Sequence, residues 1–261
     1  MLVNYTFSLV QFEYFLLILV RISAFVMAAP FFSTRDVPRR VRAGLSLFIA
    51  IFILYTINPK QDYTYVTEIE YAYLVMKEAI TGILIGFASN ICTYIVLFAG
   101  SIIDMDIGLS MATEFDPSSA AMVTLTGQLY YYYVFIMLIV TGMYQYILRA
   151  VVDSFKVVPL GKINIETSNM VIIMTKYMSD MFSISLRIIL PIFACTMTVN
   201  LVLGIIVKVA PQMNMFSVGI QIKLLVGFFV IFITIFLLPD VSNFIFEEMQ
   251  KMTVYTIKML K

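Results

Sequence analysis

The residues most able to do chemistry are four carboxylates in the middle of a very apolar chain. Asp104, Asp106, Glu114 and Asp116 all lie in the stretch GSIIDMDIGLSMATEFDPSSAAMVTLTG, residues 100–127, and no lysine or arginine stands in or near it. A carboxylate inside a membrane suggests an ion or proton relay by default. A loop that faces a water-filled vestibule explains the four acids more simply. Both interpretations stay open from the residues alone.

Metal and enzyme chemistry are poorly supported. The pair Asp104 and Asp106 invites a calcium site, but an EF-hand needs further oxygen ligands and a glutamate at the twelfth position, which is Phe115 here. The chain has no histidine, and histidine is the usual general base and the commonest metal ligand. It has no Walker A motif either. We therefore expect no metal, no cofactor and no enzymatic activity.

The composition predicts an integral membrane protein. Of 261 residues, 61% are hydrophobic and 13% are charged, whereas soluble domains are about half apolar and about a quarter charged. The apolar residues form long runs, as membrane-spanning helices require. The net charge of +1 gives no indication of nucleic-acid binding. The first apolar run continues past the point where cleavage would fall, so we expect no cleavable signal peptide.

The expected fold is all-α, with about six long, kinked helices arranged as hairpins in one domain, residues 1–261. Glycine, serine, threonine and a proline interrupt helix over 100–127, and irregular backbone at membrane depth must be buried in protein or line a cavity. We therefore predict a central loop held inside a membrane assembly, a second loop at 210–223 and an amphipathic tail at 239–261. The predicted helical runs are 10–32, 43–57, 69–99, 128–152, 177–210 and 226–238.

An arginine lies deep in the first helical run. Arg21 is too far from either end to reach the interface easily, so it should face protein or water. We favour a contact with a carbonyl or carboxylate of another helix over a role in transport. Pro30 closes or kinks this helix. The turn that follows, FFSTRDVPRRVR at 31–42, includes Pro38 and Arg42 and carries four arginines, a cluster typical of the cytoplasmic side.

Small residues and prolines predict where helices approach one another or break. Gly82 and Gly86, with Asn90 one turn further, form a face that lets a neighbouring helix come close. The polar connection at 153–176 is the segment most like a soluble linker. Pro191 is a kink point in a run too long for one plain span.

The distribution of positive charge does not orient the chain. With six spans, about six positive charges fall on one side and about seven on the other. One explanation is that the helices are not ordinary bilayer spans and pack mainly against other subunits. A membrane protein with a weak charge bias would give the same count.

Three stretches carry a family resemblance. APFFSTRDVPRRVRAGL, AGSIIDMDIGLSMATEFDP and NLVLGIIVKVAPQMNMFSVGIQIK occur in this order. With them, nearly the whole chain resembles the type III export-gate family, FliR in flagella and SctT in virulence systems, and the last stretch is more similar to the flagellar branch. Its pattern consists of Leu203, Gly204, Ala210, Pro211, Gln212, Asn214, Phe216 and Gly219.

The resemblance implies a subunit of an export channel. Such a subunit assembles with FliP-like and FliQ-like membrane proteins and an FlhB-like subunit, in the bacterial inner membrane at the flagellar basal body. Unfolded flagellar proteins pass through the channel, and a central loop, matching about 106–124 here, plugs the pore. The plug residues implied are Asp104, Asp106, Gly108, Met111, Glu114, Asp116, Pro117 and Met122. The family-motif and partner-packing residues implied are Arg21, Pro30, Pro38, Arg42, Gly204, Pro211, Gln212, Asn214, Phe216 and Gly219.

Two residue types suggest how such a plug works. Gly108 and the small residues at 118–121 would let the loop pack closely and move. Met105, Met111 and Met122 have adaptable side chains that would seal around varied substrates, although plain packing explains them equally well.

Two other functions remain open on the sequence. A small-solute or ion permease would use intramembrane carboxylates with Arg21 or Arg187, but such folds often contain internal repeats and none is evident here. The chain would otherwise be a structural membrane scaffold.

Overall fold

Over its described residues the chain folds mainly as α-helices. The computed structural model describes residues 9–34, 37–56, 65, 67–112, 114–116, 121–163, 166–210, 212 and 215–261. Within these residues the helices are α1 Leu9–Ala28, α2 Arg39–Thr56, α3 Glu68–Ser89, α4 Ile91–Ile107, α5 Leu125–Val140, α6 Met143–Val157, α7 Thr167–Val209, α8 Met215–Thr234 and α9 Leu238–Met259. The strands are β1 Glu114–Asp116 and β2 Ala121–Val123. The all-α class is confirmed, with one short hairpin added.

The helices meet the requirements of a multi-pass membrane protein. Four segments of the described chain are long and apolar enough to cross a bilayer, namely Gln11–Ala28, Glu68–Ser89, Ser168–Val209 and Val218–Met259. The pair α5 and α6 gives a fifth if it is counted as one broken span. The sequence predicted about six helices, and the structure has more because two predicted runs divide and the predicted tail is itself a helix.

Two predicted helical runs are each broken into two helices. The run 69–99 divides at Asn90, whose backbone N–H is shared between the carbonyls of Gly86 and Phe87. The run 128–152 divides at Gly142, which has a φ of +72°. This left-handed conformation carries little penalty only for a residue without a Cβ atom, so the glycine ends α5 and starts α6.

The run predicted at 177–210 begins earlier than expected. Helix α7 starts at Thr167 and has 43 residues, with Pro191 inside it. Ile173 and Tyr177, one turn apart, are both buried. These two buried residues give an apolar face to the otherwise polar stretch 167–177. The helix therefore extends into the predicted 153–176 connection.

The central irregular segment is narrower than predicted. Residues 100–127 were expected to lack regular structure, but α4 continues to Ile107 and α5 begins at Leu125. Ile103 and Ile107 are completely buried, and such packing outweighs weak helix propensity. Residues 108–124 contain a 3₁₀ turn, Leu109–Ala112, and the β1–β2 hairpin.

The second predicted loop is also shorter than expected, and the predicted amphipathic tail forms a helix. The loop 210–223 narrows because α8 begins at Met215, and Gly219 lies buried within that helix. The 239–261 tail corresponds to α9, in which Met249 and Met252 are buried while Glu247 and Lys258 are exposed. This confirms its amphipathic character.

Two compact units emerge from the packing. One contains residues 1–90, 142–177 and 249–261, and the other contains 91–141 and 178–248. The sequence predicted a single domain over 1–261, and that assignment stays a prediction.

In the first unit α1 and α3 pack in close contact. A Cβ atom on Gly82 would lie 2.2 Å from the carbonyl oxygen of Arg21, and one on Gly86 would lie 2.8 Å from the carbonyl oxygen of Phe25. Asn90 donates from Nδ2 to the carbonyl of Ala28 at 3.2 Å. The predicted small-residue face is therefore confirmed, and α1 is its partner.

Candidate functional site

The β1–β2 hairpin is carried by two helices that touch backbone to backbone. A Cβ atom on Gly100 of α4 would lie only 2.2 Å from the Cα of Gly127 in α5. Any side chain at this point would push the helices apart. The close approach holds together the two helices that segment 108–124 connects, α4 and α5.

Asp104 holds the start of α5. Its carboxylate is buried and accepts the backbone N–H of Thr126, at 3.0 Å to Oδ2 and 3.3 Å to Oδ1. The N-cap residue Thr124 makes no capping hydrogen bond with its own side chain. Asp104 therefore supplies from α4 the negative charge that stabilises a helix N-terminus. In this position Asp104 stabilises the fold by joining α4 to α5.

Asp106 faces a different helix. Two residues along an α-helix correspond to about 200° of rotation, so Asp106 points away from α5, and its Oδ2 accepts a hydrogen bond from the hydroxyl of Thr196 in α7. Thr196 is fully buried whereas Asp106 is partly exposed. Sequence reasoning missed Thr196, and its only local signal was a hydroxyl within an apolar helix.

The end of α4 is also packed against α8. A Cβ atom on Gly227 would lie 2.6 Å from Cγ2 of Ile107, the last residue of α4. Gly108 follows with a φ of +89° and ends the helix. The point where the chain leaves α4 is thus held by α5, α7 and α8 together.

The hairpin itself is antiparallel. Its register pairs Glu114 with Val123, Phe115 with Met122, and Asp116 with Ala121. Met111 lies in the 3₁₀ turn that precedes β1. Pro117 and the rest of 117–120 lie outside the described residues.

Asp104 and Asp106, the two acids whose side chains the structure describes, do not converge on a common site. Asp104 and Asp106 bind separate helices, while Glu114 and Asp116 belong to β1. Over the described part of the chain, no three histidine, cysteine, aspartate or glutamate residues cluster as metal ligands would.

Arg21 forms a buried ion pair in the first unit. Its Nε donates to Oε2 of Glu78 in α3 at 2.5 Å, and both side chains are fully inaccessible. Its Nη1 donates to the carbonyl of Val158 at 3.0 Å, and its Cζ lies 4.3 Å from the ring centre of Phe155. The expectation that Arg21 contacts a carboxylate or carbonyl of another helix is confirmed.

The connection after α6, residues 158–163, contacts the Arg21–Glu78 ion pair. Glu78 accepts at Oε1 the backbone N–H of Gly161, at 3.1 Å. Val158, Leu160 and Ile163 are buried. The prediction that this stretch resembles a soluble linker is therefore wrong, because its apolar residues are buried and its backbone donates to Glu78 and accepts from Arg21.

Comparison with known proteins places this architecture in a family. The family model described as "Bacterial export proteins, family 1" matches residues 12–249. The chain belongs to this family. The flagellar biosynthetic protein FliR of Bacillus subtilis is 30% identical over 226 residues, covering 85% of this chain and 86% of that protein. FliR of Escherichia coli is 30% identical over 209 residues, covering 80% and 79%.

A virulence-associated relative also matches. The "Surface presentation of antigens protein SpaR" of Shigella sonnei is 27% identical over 162 residues, which is 62% of each chain. The chain is thus a multi-pass membrane protein of a bacterial export family, with the FliR proteins among its relatives.

Two prolines lie at the ends of the helices that flank the arginine-rich turn of this export protein. Pro30 is buried just after α1. Pro38 precedes α2, and its carbonyl accepts the backbone N–H groups of Val41 at 2.9 Å and Arg42 at 3.2 Å. The Arg42 guanidinium donates to the carbonyl of Thr34, which ties the turn to the start of α2.

The second family motif spans α7 and α8. A Cβ atom on Gly219 would lie 3.5 Å from Cδ1 of Leu203, so this glycine packs within the second unit. Gly204 is exposed, and a Cβ atom there would meet no described atom within 4 Å. Gln212 is exposed in the connection, and Phe216 belongs to α8. Pro211 and Asn214 lie outside the described residues.

Proposed function

We propose that this chain is the FliR-like subunit of a flagellar type III protein export gate. With FliP-like and FliQ-like membrane subunits, and an associated FlhB-like subunit, it forms the channel through which unfolded flagellar proteins leave the cell. It resides in the bacterial inner membrane at the flagellar basal body. Segment 108–124 closes the pore as a plug. Matches to FliR proteins at 30% identity over most of the chain favour the flagellar branch over the virulence branch.

The hairpin is the observation that carries the plug assignment. It has two strands of three residues each, so both strands have an unpaired edge within the described structure. Open sheet edges do not occur in contact with lipid, since lipid cannot satisfy the backbone groups. A hairpin this short is also marginal on its own. Both properties support a location within a protein-lined, water-accessible channel.

The length of α7 supports assembly with partner helices. At 1.5 Å per residue its 43 residues extend roughly 65 Å, about twice the hydrocarbon thickness of a bilayer. Its exposed apolar side chains include Leu186, Leu190, Leu201, Ile205 and Val209. Lipid covers only part of such a helix, so neighbouring protein must cover the rest.

A leak measurement tests the proposal. The chain is expressed with its FliP-like and FliQ-like partners, and residues 109–123 are replaced by a short glycine–serine linker that leaves Asp104, Asp106 and Gly108 in place. We expect ions to leak across the membrane only with this variant and only when the partners are present. A tight membrane around a normally assembled complex would overturn the plug assignment.

A further inference from the structure

We propose that Thr196 is the positioning residue that keeps the plug closed, through its hydrogen bond to Asp106, whereas Asp104 is a fixed anchor. This inference rests on the proposed function and assigns different tasks to the two aspartates that precede segment 108–124. The two aspartates differ in the group that each one contacts, in how deeply each is buried, and in whether other hydrogen bonds can replace the contact.

The contact made by Asp104 is difficult to open. The carboxylate is 1% exposed and holds a backbone N–H in the first turn of α5. Opening it would leave a charged group and a helix N-terminus buried without partners, which is strongly unfavourable. The contact of Gly100 with Gly127 lies beside it and leaves no room for another side chain. The start of α5, which follows segment 108–124, therefore stays attached to α4.

The contact made by Asp106 is suited to release. Asp106 is partly exposed, so water can take over its carboxylate when the contact opens. The Thr196 hydroxyl lies 3.0 Å from the carbonyl oxygen of Phe193 in its own helix, which is a second acceptor. When Asp106 leaves, the buried hydroxyl keeps a hydrogen bond. Neither partner is left unsatisfied, which is the condition for a contact that opens and closes readily.

The contact also lies where movement would reach the hairpin. Asp106 is followed by Ile107, the last residue of α4, and by Gly108, which has a φ of +89°. A shift of α7 that withdraws Thr196 removes the polar contact at the end of α4, whereas Ile107 stays packed against Gly227 of α8. A chain in transit that displaces α7 would thus loosen segment 108–124 from Gly108 onward, while Asp104 keeps α4 attached to α5.

Ion leak in the assembled complex tests the assignment. Thr196→Val removes the hydroxyl and keeps the side-chain shape, and Asp106→Ala removes the acceptor. Each should raise the leak about tenfold, because a charge-assisted hydrogen bond shifts the closed population by about that factor. The double variant should leak no more than either single variant, and Thr196→Ser should restore a tight membrane. Thr198→Val is the matched control, since Thr198 bonds the carbonyl of Ala194 in its own helix at 2.9 Å.

Asp104→Asn separates the two tasks. It should lower the yield and thermal stability of the complex more than it raises the leak per assembled complex. If Thr196→Val is tight while the linker variant of 109–123 leaks, the Thr196 assignment is wrong and the plug stands. If the increases in leak caused by Thr196→Val and Asp106→Ala add in the double variant, the two residues do not act through one contact. If the linker variant is also tight, the proposed function itself fails.

Discussion

At the scale of single residues, buried charge in this chain serves to connect segments. Arg21 and Glu78 are fully inaccessible, and each also bonds the backbone of the connection after α6, at Val158 and Gly161. Burying two ions costs several kcal/mol, and that cost is offset only when the remaining donors and acceptors find partners. The network therefore joins α1, α3 and the 158–163 connection.

Removal of one ion from this pair should be more damaging than removal of both. We expect Glu78→Leu to lower the free energy of unfolding by about 3–5 kcal/mol, since Arg21 is left buried and unpaired. The double variant Arg21→Met with Glu78→Leu should recover most of that loss. Denaturant unfolding in detergent, followed by circular dichroism, measures both. Equal stability of the single and double variants would contradict this account.

Gly82 should not tolerate a side chain. Alanine there places its Cβ 2.2 Å from the carbonyl of Arg21, so α1 and α3 must separate. We expect Gly82→Ala to cost about 1–3 kcal/mol of unfolding free energy, as overpacking does. Gly44→Ala is the matched control, because no described atom lies within 4 Å of its Cβ position. The idea fails if the two variants unfold at the same denaturant concentration.

At the scale of elements, glycines in the left-handed region set where helices end. Gly108 ends α4 with φ +89°, and Gly142 separates α5 from α6 with φ +72°. Non-glycine residues are strained in this region by about 1–2 kcal/mol. A change to alanine therefore imposes comparable strain at Gly108, which begins segment 108–124, and at Gly142, which lies outside that segment.

This pair of glycines gives a matched test of the plug. Gly108→Ala should weaken the closed position, because strain at the base of the hairpin is relieved when the segment moves. We expect its leak in the assembled complex to rise about tenfold, the factor that corresponds to ~1.4 kcal/mol. Gly142→Ala should lower thermal stability similarly and leave the membrane tight. Equal leaks from both variants would point to general destabilisation.

At the scale of the whole molecule, much apolar surface is exposed in the part of the chain that the structure describes. The exposed aromatic residues of α8 and its 3₁₀ extension add to the apolar face of α7: Phe228, Phe229, Phe232 and Phe236. Lipid and protein are both able to cover such surface, but the length of α7 exceeds what lipid covers. Contacts with other subunits of the export apparatus would cover the remainder of this surface.

Two motif glycines should distinguish partner packing from internal packing. Gly204 is exposed with open space at its Cβ position, whereas Gly219 packs against Leu203. We expect Gly204→Leu to leave the thermal stability of the isolated chain unchanged and to reduce copurification with the FliP-like and FliQ-like subunits. Gly219→Leu should destabilise the isolated chain. Normal copurification of Gly204→Leu with these subunits would show that Gly204 does not contact a partner.

The sequence by itself determined the features that depend on local composition and spacing. Long apolar runs specify membrane helices, and Gly82 and Gly86 at a four-residue interval specify a close-packed face. A single arginine deep in an apolar helix requires a buried polar partner, which predicts the kind of contact that Arg21 makes. These properties follow from what a bilayer excludes, so they need no knowledge of which segments meet.

Only the tertiary structure decided which residues meet. Glu78 lies 57 residues from Arg21, Thr196 lies 90 residues from Asp106, and Gly161 lies 83 residues from Glu78. Asp104 and Asp106 have the same residue type and similar local sequence, yet one became a helix cap and the other a partly exposed contact. Helix rotation turns them toward different neighbours, and the burial of each neighbour determines its role. Since such contacts are set by packing between distant segments, no local pattern in the sequence specifies them.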